Sequence, residues 1–559
     1  MGTAIDEAFA PPLSKRRPVE ETILIVGGGT MGAGIAFVAA HGGYTVDLVE
    51  PDEATRERAL ASIKSSAERV KDAEAAGRVR VHDAIPKTSD ARIAIEAVSE
   101  RFEVKRDVFI ALAAALPADA LLATNTSSLS VAELAGVVPH PQRVLGLHFF
   151  NPPAAMKLVE VVHAAATDDD AIERAYAFVE RIGKTAALAA DTPGFIVNRV
   201  ARPYYLQSMR ALASDVASIP ELDALARAAG FRMGPFELMD LIGLDVNLAT
   251  TESVYERTDA ARLIPVEMQR EMVRQGRLGR KSGVGYYDYT NGVPDRLDLA
   301  IELPQDEPND DEFIAIVGFG GLADEIAELL EQRYTHVQRV ENDELLDELN
   351  VDATIVIDAG GGTADRGEVI AELDSLLGPE TVFLVDAYAT DLAACTARLK
   401  HPERVAGFGV LGSFESQRAV EIVDSELVSD DALALAQELF ESIGKGVVLV
   451  ENVPGLFLGR VVGSIVNESV IAVHENVAVA DDIDVAMRLG TNYPIGPIAW
   501  GREIGGARVT RILQRVADAD GEAFAPHRSL WVLDVEEEGE TEPVAAKSST
   551  DAASILWGG

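Results

Sequence analysis

Residues 22–50, TILIVGGGTMGAGIAFVAAHGGYTVDLVE, decide the fold of this chain. Thr22 to Val26 is an uninterrupted apolar run suited to a strand buried on both faces, and three glycines break it. The small residues from Met31 predict a helix ending at Gly42-Gly43, and Tyr44 to Glu50 predicts a second strand. Strand, helix and strand make a βαβ unit, so the chain opens as a parallel α/β domain. Gly27, Gly29 and Gly32 form G-x-G-x-x-G at the first junction. Such glycines permit a tight turn, close approach of backbone to a pyrophosphate, and close packing of helix on strand, while the helix N-terminus supplies amide donors. Glu50 closes the second strand 23 residues after Gly27, close to the spacing of an acid that binds a ribose 2′-hydroxyl. Its charge would repel a 2′-phosphate, so the pattern points to NAD over NADP. Taken alone, the turn is also compatible with packing only.

Outward from this unit, the pattern becomes helical from about residue 195, with amphipathic stretches at Pro220 to Ala229 and Pro265 to Gln275. The second half then repeats the first. His140-Pro141 recurs as His401-Pro402 and Pro193-Gly194 as Pro454-Gly455, 261 residues on, whereas Gly27 pairs with Gly318, 291 residues on. The second copy therefore lacks about 30 residues, assigned to a helical arm over residues 52–87. The expected architecture is α/β plus all-α: a Rossmann-type dinucleotide-binding domain (20–192) and a helical domain (193–290), an acidic linker (291–312), then a degenerate Rossmann-like domain (313–450) and a second helical domain (451–533). Residues 1–19 and 534–559 read as tails, the latter disordered.

The 559 residues are 48% hydrophobic and 25% charged, which excludes a disordered or fibrous chain. With 91 acidic against 49 basic residues the net charge is −42, the wrong sign for a nucleic-acid binder. Only 11 of the cations are lysine, and with the acidic excess this suggests a salt-loving cytoplasm; an acidic protein from a GC-rich genome is the alternative. One cysteine, Cys395, excludes an internal disulfide framework, and no run is long enough for a membrane span. A cytoplasmic protein with no membrane partner is expected, and no metal site is read from the chain.

His148 lies in an apolar strand-like run, Val144 to Phe150, and Glu160 in the next, Leu158 to Val162. A buried imidazole and a buried carboxylate are each costly unless paired, and a carboxylate on one ring nitrogen makes the other a better base. Each could equally be a satisfied core residue. Thr124-Asn-Thr-Ser-Ser128 places hydroxyls and an amide at a strand's carboxyl end, and the segment Asp191 to Arg199 sets Asn198 on the first helix of the helical domain, though such residues also cap turns and helices.

Together GGGTMG, EAVSERFEVK (96–105), NTSSL, GLHFFNP, MKLVEVV, DTPGFIVNR, GPFELMDLIGLD and GRKSGVGYYDY resemble, in that order, the NAD-dependent 3-hydroxyacyl-CoA dehydrogenase family over residues 22–290. The run Asn198 to Tyr205 is most similar to the bacterial 3-hydroxybutyryl-CoA and 3-hydroxyadipyl-CoA dehydrogenases. The resemblance implies NAD-dependent oxidation of a short-chain 3-hydroxyacyl-CoA to the 3-oxoacyl-CoA, and the reverse. It implies His148 as general base, Glu160 as its partner, and Ser127 and Asn198 as donors to the substrate oxygen, with Asn151 lining the pocket. Glu100, Lys105 and Asn125 match positions around the nicotinamide half of the cofactor, and Ser66, Lys64 and Lys71 fall in the arm that contacts coenzyme A in relatives.

At the repeat offset His148 becomes Gly409, Asn198 becomes Gly459 and Ser127 becomes Tyr388, while Glu160 survives as Glu421. Glu100 and Lys105 map to Gly361 and Arg366, and Glu341 stands where Glu50 does. The second copy is expected to be catalytically dead and kept for architecture, forming an internal pseudo-dimer that is monomeric or further self-associated. The competing readings are a non-catalytic dinucleotide-binding structural or regulatory protein and a 2-hydroxyacid or 6-phosphogluconate type of dehydrogenase.

Overall fold

The computed structural model describes residues 21–299, 309–318, 320–340, 349–360, 366–388, 390–412 and 414–535. The tails, residues 300–308 of the linker, Glu341 and Gly361 lie outside the described residues. The first half builds one sheet from β1 (Thr22–Val26), β2 (Thr45–Val49), β3 (Val79–His82), β4 (Ile93–Glu96), β5 (Leu121–Thr124), β6 (Val144–Phe149), β7 (Leu158–His163) and β8 (Thr185–Ala190). Their order is β3-β2-β1-β4-β5-β6-β7-β8, parallel throughout except for the antiparallel β6 and β7 pair. The helix Thr30–His41 buries Gly32, Ala33, Ala36, Ala39 and Ala40, small residues that let it lie close to β1, together with Ile35 and Phe37. The expected βαβ unit and Rossmann-type sheet are thus the observed ones.

The second half repeats this as β9 (Asn309–Gly318), β10 (Tyr334–Val340), β11 (Ile355–Gly360), β12 (Val382–Asp386), β13 (Val405–Gly409), β14 (Ala419–Asp424) and β15 (Gly446–Glu451), in the order β10-β9-β11-β12-β13-β14-β15. It is the first sheet without β3. The missing piece, expected to be purely helical, is in the first half the helix Glu53–Arg69, a short helix Ala73–Gly77 and an edge strand. The strand was hidden because its sequence, VRVH, carries charge at alternate positions; Arg80 and His82 both hold Asp47 of β2.

The described residues fall into two compact units that cut across the sequential order. One joins the residues up to Val200 with Ala472–Asn492. Here the helix Ala480–Gly490 of the second half packs on β7, β8 and the short helix Val197–Val200. Ala190 N donates to Val477 O (2.8 Å), and the buried Arg199 pairs with Glu475 (2.7 Å). A Cβ on Gly490 would come within 2.8 Å of Leu158 and 3.0 Å of Val197, so a residue without a side chain is required for that approach.

The other unit joins Ala201–Ile471 with the residues from Tyr493 on. Here the helix Ile219–Ala228 of the first half packs on β14, and Glu451 N donates to Val216 O (3.0 Å), the counterpart of the Ala190 to Val477 bond. Helical segments of both halves also meet in this unit. The Phe231 ring packs against Tyr493 (5.0 Å between centroids) and Trp500 (5.5 Å), Arg262 pairs with the buried Glu468 (2.5 Å), and the Arg210 guanidinium lies over Phe524.

Candidate active site

The glycine turn follows β1 and faces the end of β4, where the strand order changes direction. Gly27 has φ +108°, and a Cβ there would lie 2.5 Å from Ala97 O; a Cβ on Gly32 would lie 1.8 Å from Gly27 O. Gly29 instead faces open space, and no acidic residue sits in the first turn of the helix it starts. An open glycine at the positive end of a helix fits a diphosphate. Glu50 Oε2 accepts from Gly28 N (2.8 Å) and Oε1 from Asp52 N (3.0 Å), which fixes the carboxylate beside the turn. Gly28 is a residue the motif spacing overlooked: its Cβ would strike Glu50 at 2.8 Å.

His148 and Glu160 are direct partners in the antiparallel β6 and β7 register. Neighbouring side chains on one face of such a pair meet, and His148 Nδ1 lies 2.5 Å from Glu160 Oε2. Glu160 is wholly buried, and its Oε1 accepts from Ile196 N (3.0 Å) and Val197 N (2.9 Å). The imidazole is buried against Phe150 (4.6 Å) and Phe195 (5.7 Å). With the Nδ1 proton given to the carboxylate, Nε2 carries the free lone pair.

Ser127 is exposed on the turn after β5, the strand beside β6. Asn125 ties the two strand ends together, its Oδ1 accepting from Phe149 N (2.8 Å). Glu100 Oε1 accepts from Thr126 Oγ1 (2.5 Å), Ser127 N (2.9 Å), Ser128 N (3.0 Å) and Ser128 Oγ (3.0 Å). Burial pushes the Glu100 carboxyl up, but Lys105 and these donors outweigh it and hold it below the usual carboxylate range. Lys105 is wholly buried, its ammonium 2.8 and 3.0 Å from the oxygens of Glu96 and 3.2 Å from Glu100. The structure therefore gives Lys105 protein partners in place of an open ammonium.

Glu96 was not singled out from the sequence, although an acid in the apolar run IAIE with a lysine nine residues on is the signature of a buried pair. Asp191 opens the segment leading into Asn198; its Oδ2 accepts from Ser130 Oγ (2.7 Å) and Ala132 N (2.8 Å), tying the Ser127 loop to that segment. Asn198 is half-buried on the helix Val197–Val200, next to the amide that holds Glu160, and Asn151 is exposed just past β6. Ser66 and the exposed Lys64 and Lys71 lie on or just past the helix Glu53–Arg69, at the β3-β2 end of the sheet and away from His148.

The NAD-binding-domain model of 3-hydroxyacyl-CoA dehydrogenase matches residues 22–192 and 325–453, and the C-terminal-domain model residues 194–289 and 455–547. The chain belongs to the 3-hydroxyacyl-CoA dehydrogenase family. It is 36% identical over 90% of its length to the 3-hydroxyadipyl-CoA dehydrogenase of Escherichia coli K12, covering 94% of that protein. The crystal structure of 3-hydroxybutyryl-CoA dehydrogenase from Escherichia coli K12 superposes with a TM-score of 0.74 at 34% identity, covering 91% of this chain and 97% of that one. The 3-hydroxybutyryl-CoA dehydrogenase of Mycobacterium tuberculosis is 37% identical over 47% of this chain and 97% of its own. The family models match twice, so this dehydrogenase carries a repeated pair of domains, and its cofactor is NAD.

The second copy keeps the frame of the site and fills it. Glu421 pairs with Gly409 in the β13 and β14 register and accepts from Phe457 N (2.7 Å) and Leu458 N (3.1 Å), the counterparts of Ile196 and Val197. Where the first copy has an imidazole, Tyr388 Oη donates to Glu421. A Cβ on Gly409 would lie 2.5 Å from the Tyr388 ring and one on Gly459 3.0 Å from it. The three replacements of Ser127, His148 and Asn198 are thus one event in space: a tyrosine enters and two side chains leave. Burial pushes the Glu421 carboxyl up to about 7 against the donors that oppose it.

Proposed function

We propose that the chain oxidises a short-chain 3-hydroxyacyl-CoA to the 3-oxoacyl-CoA, and runs the reverse reduction, at a single site in its first half. The His148 and Glu160 pair carries the reading, because it leaves Nε2 free to take a proton and places a fixed carboxylate where the imidazolium charge develops. In oxidation His148 Nε2 takes the 3-hydroxyl proton, and Ser127 and Asn198 donate to the substrate oxygen as its charge grows. NAD, held by Gly27, Gly29, Gly32 and Glu50 with Asn125 and Glu100 toward its nicotinamide end, supplies the hydride acceptor. Asn151 lines the pocket, and Lys64, Ser66 and Lys71 offer ammonium and hydroxyl groups to the coenzyme-A phosphates.

The partner side of the proposal is an internal pseudo-dimer with one active site, supported by the reciprocal placement of the helices Ala480–Gly490 and Ile219–Ala228. The single buried cysteine, Cys395, supports a cytoplasmic setting. No helix among the described residues is long and apolar enough to cross a membrane. The test is NADH oxidation with acetoacetyl-CoA, set against free 3-oxo acids. Turnover that requires the coenzyme-A thioester and is lost by about 10²–10⁴-fold in His148→Ala supports the reading, and near-wild-type turnover in that variant refutes it.

A further inference from the structure

The turn that carries Ser127 hangs from one carboxylate oxygen. Glu100 Oε1 meets four donors, two of them backbone amides of the turn itself, and its other oxygen faces Lys105. Lys105 cannot shift, because Glu96 holds it with both oxygens and is itself held by Thr124 Oγ1 (2.7 Å) and Val98 N (2.6 Å). A wholly buried ion pair satisfied on all sides is a rigid anchor.

The second copy separates the anchor from what hangs on it. There Asp358 on β11 pairs with Arg366 at the start of the helix Arg366–Leu376, so the acid and base persist with both residue types changed. The sequence position of Glu100 is Gly361, and that of Ser127 is Tyr388. The anchor survives without chemistry, while the carboxylate above it disappears together with the serine.

We propose that Glu100 is the positioning residue of the Ser127 turn, acting through the reach of its Oε1 to those four donors and not through its charge. The proposal rests on Ser127 as a donor to the substrate oxygen. Two conservative variants separate reach from charge. Glu100→Asp keeps the charge but retracts the carboxylate by one methylene. Glu100→Gln keeps the reach, with its carbonyl on the four donors; its amide then faces the Lys105 ammonium donor to donor, so that one contact is lost while both oxygens of Glu96 retain the lysine.

The experiment measures kcat and the KM for NAD with a 3-hydroxyacyl-CoA in Glu100→Asp, Glu100→Gln, Ser127→Ala and the Glu100→Asp/Ser127→Ala double variant. Misplacing a reacting group by about 1 Å costs up to ~10²-fold, so Glu100→Asp should lose kcat on that scale, well beyond any rise in the KM for NAD. Glu100→Gln should be clearly faster than Glu100→Asp, and the double variant should be no slower than Ser127→Ala alone. The proposal is overturned by Glu100→Gln as slow as Glu100→Asp, by multiplicative losses in the double variant, or by a defect confined to the KM for NAD. A Ser127→Ala enzyme at full speed beside a slow Glu100→Asp also overturns it and leaves the His148 test of the reaction untouched.

Discussion

Glu160→Gln should be more damaging than Glu160→Ala, and the reason is which oxygen is already committed. Glu160 Oε1 accepts from two buried amides, Ile196 N and Val197 N, so in the variant the carbonyl oxygen must take that place. The inverted amide would set an NH₂ group against two N–H donors, at about 1–3 kcal/mol for each bond left unmade. Even at ~2 kcal/mol in total, the inverted form stays near 3% of molecules. In the other 97% or so the amide nitrogen faces His148 Nδ1, where Glu160 Oε2 sits at 2.5 Å. An N–H donor there makes Nδ1 an acceptor and puts the ring proton on Nε2, the nitrogen that must be empty to act as base. The expected loss in kcat runs from about 30-fold, the inverted fraction, to ~10⁴-fold, the cost of a wrong tautomer in comparable triads. Glu160→Ala leaves the ring free to choose its tautomer and should lose less. Acetoacetyl-CoA reduction followed by NADH absorbance measures both, with thermal melts to show that each variant is folded. A Glu160→Gln enzyme within tenfold of wild type, or faster than Glu160→Ala, would falsify the assignment.

Glu50 should set cofactor choice: the ratio of kcat/KM for NAD to that for NADP is expected to fall by ~10-fold or more in Glu50→Ala, and a wild-type preference for NADP would reverse the reading. Glu421 makes stability depend on pH. Its carboxyl rises from an unfolded value of 4.5 to about 7, so between those limits the folded chain holds a proton the unfolded chain has lost. Stability then falls as pH rises through that window, by about 3 kcal/mol in all. Denaturant melts at pH 5 and pH 8 should show the gap between wild type and Glu421→Gln narrowing by that order, and a constant gap would rule it out. If the charge of −42 is an adaptation to salt, melting temperature should climb with KCl as the Debye length shortens from ~30 Å at 0.01 M to ~3 Å at 1 M. A flat profile leaves only an acidic protein of ordinary habit.

The sheet around the glycine turn was legible because buried parallel strands are written as bare apolar runs, and the motif residues stand at their ends. His148 and Glu160 were legible for the converse reason, as ionisable residues in runs with no other polar group. β3 was not, since an edge strand facing solvent on one side carries charge at every second position and reads as part of the helical arm around it. The placement of Lys105 was missed because its type suggests a ligand for an anion, whereas its environment is decided by Glu96, a residue close in sequence but on another element. The exchange of helices had no local signal at all. Neither Gly490 nor Val477 says what it touches, because that depends on how two halves 261 residues apart come together.

The two copies act as an experiment on which interactions the architecture demands. The amide pair on Glu160 reappears on Glu421, and Lys184, which ties down Pro153 O and Met156 O, reappears as Lys445 on the carbonyls of Phe414, Glu415 and Gln417. The backbone bond from Ala190 to Val477 reappears from Glu451 to Val216. Each of these satisfies a buried polar group that would otherwise cost stability whether or not the site turns over. His148, Ser127, Asn198 and Glu100 are the residues replaced, and with Glu100 goes a carboxylate that holds the amides of the Ser127 turn. A glutamate kept without its histidine still has two amides to cap, which is why Glu421 remains, and the Tyr388 hydroxyl donates to it where the first copy has the imidazole Nδ1. What the second half retains is therefore what folding requires, and in return its helix Ala480–Gly490 is packed on β7 and Val197–Val200, the elements that fix Glu160 and Asn198.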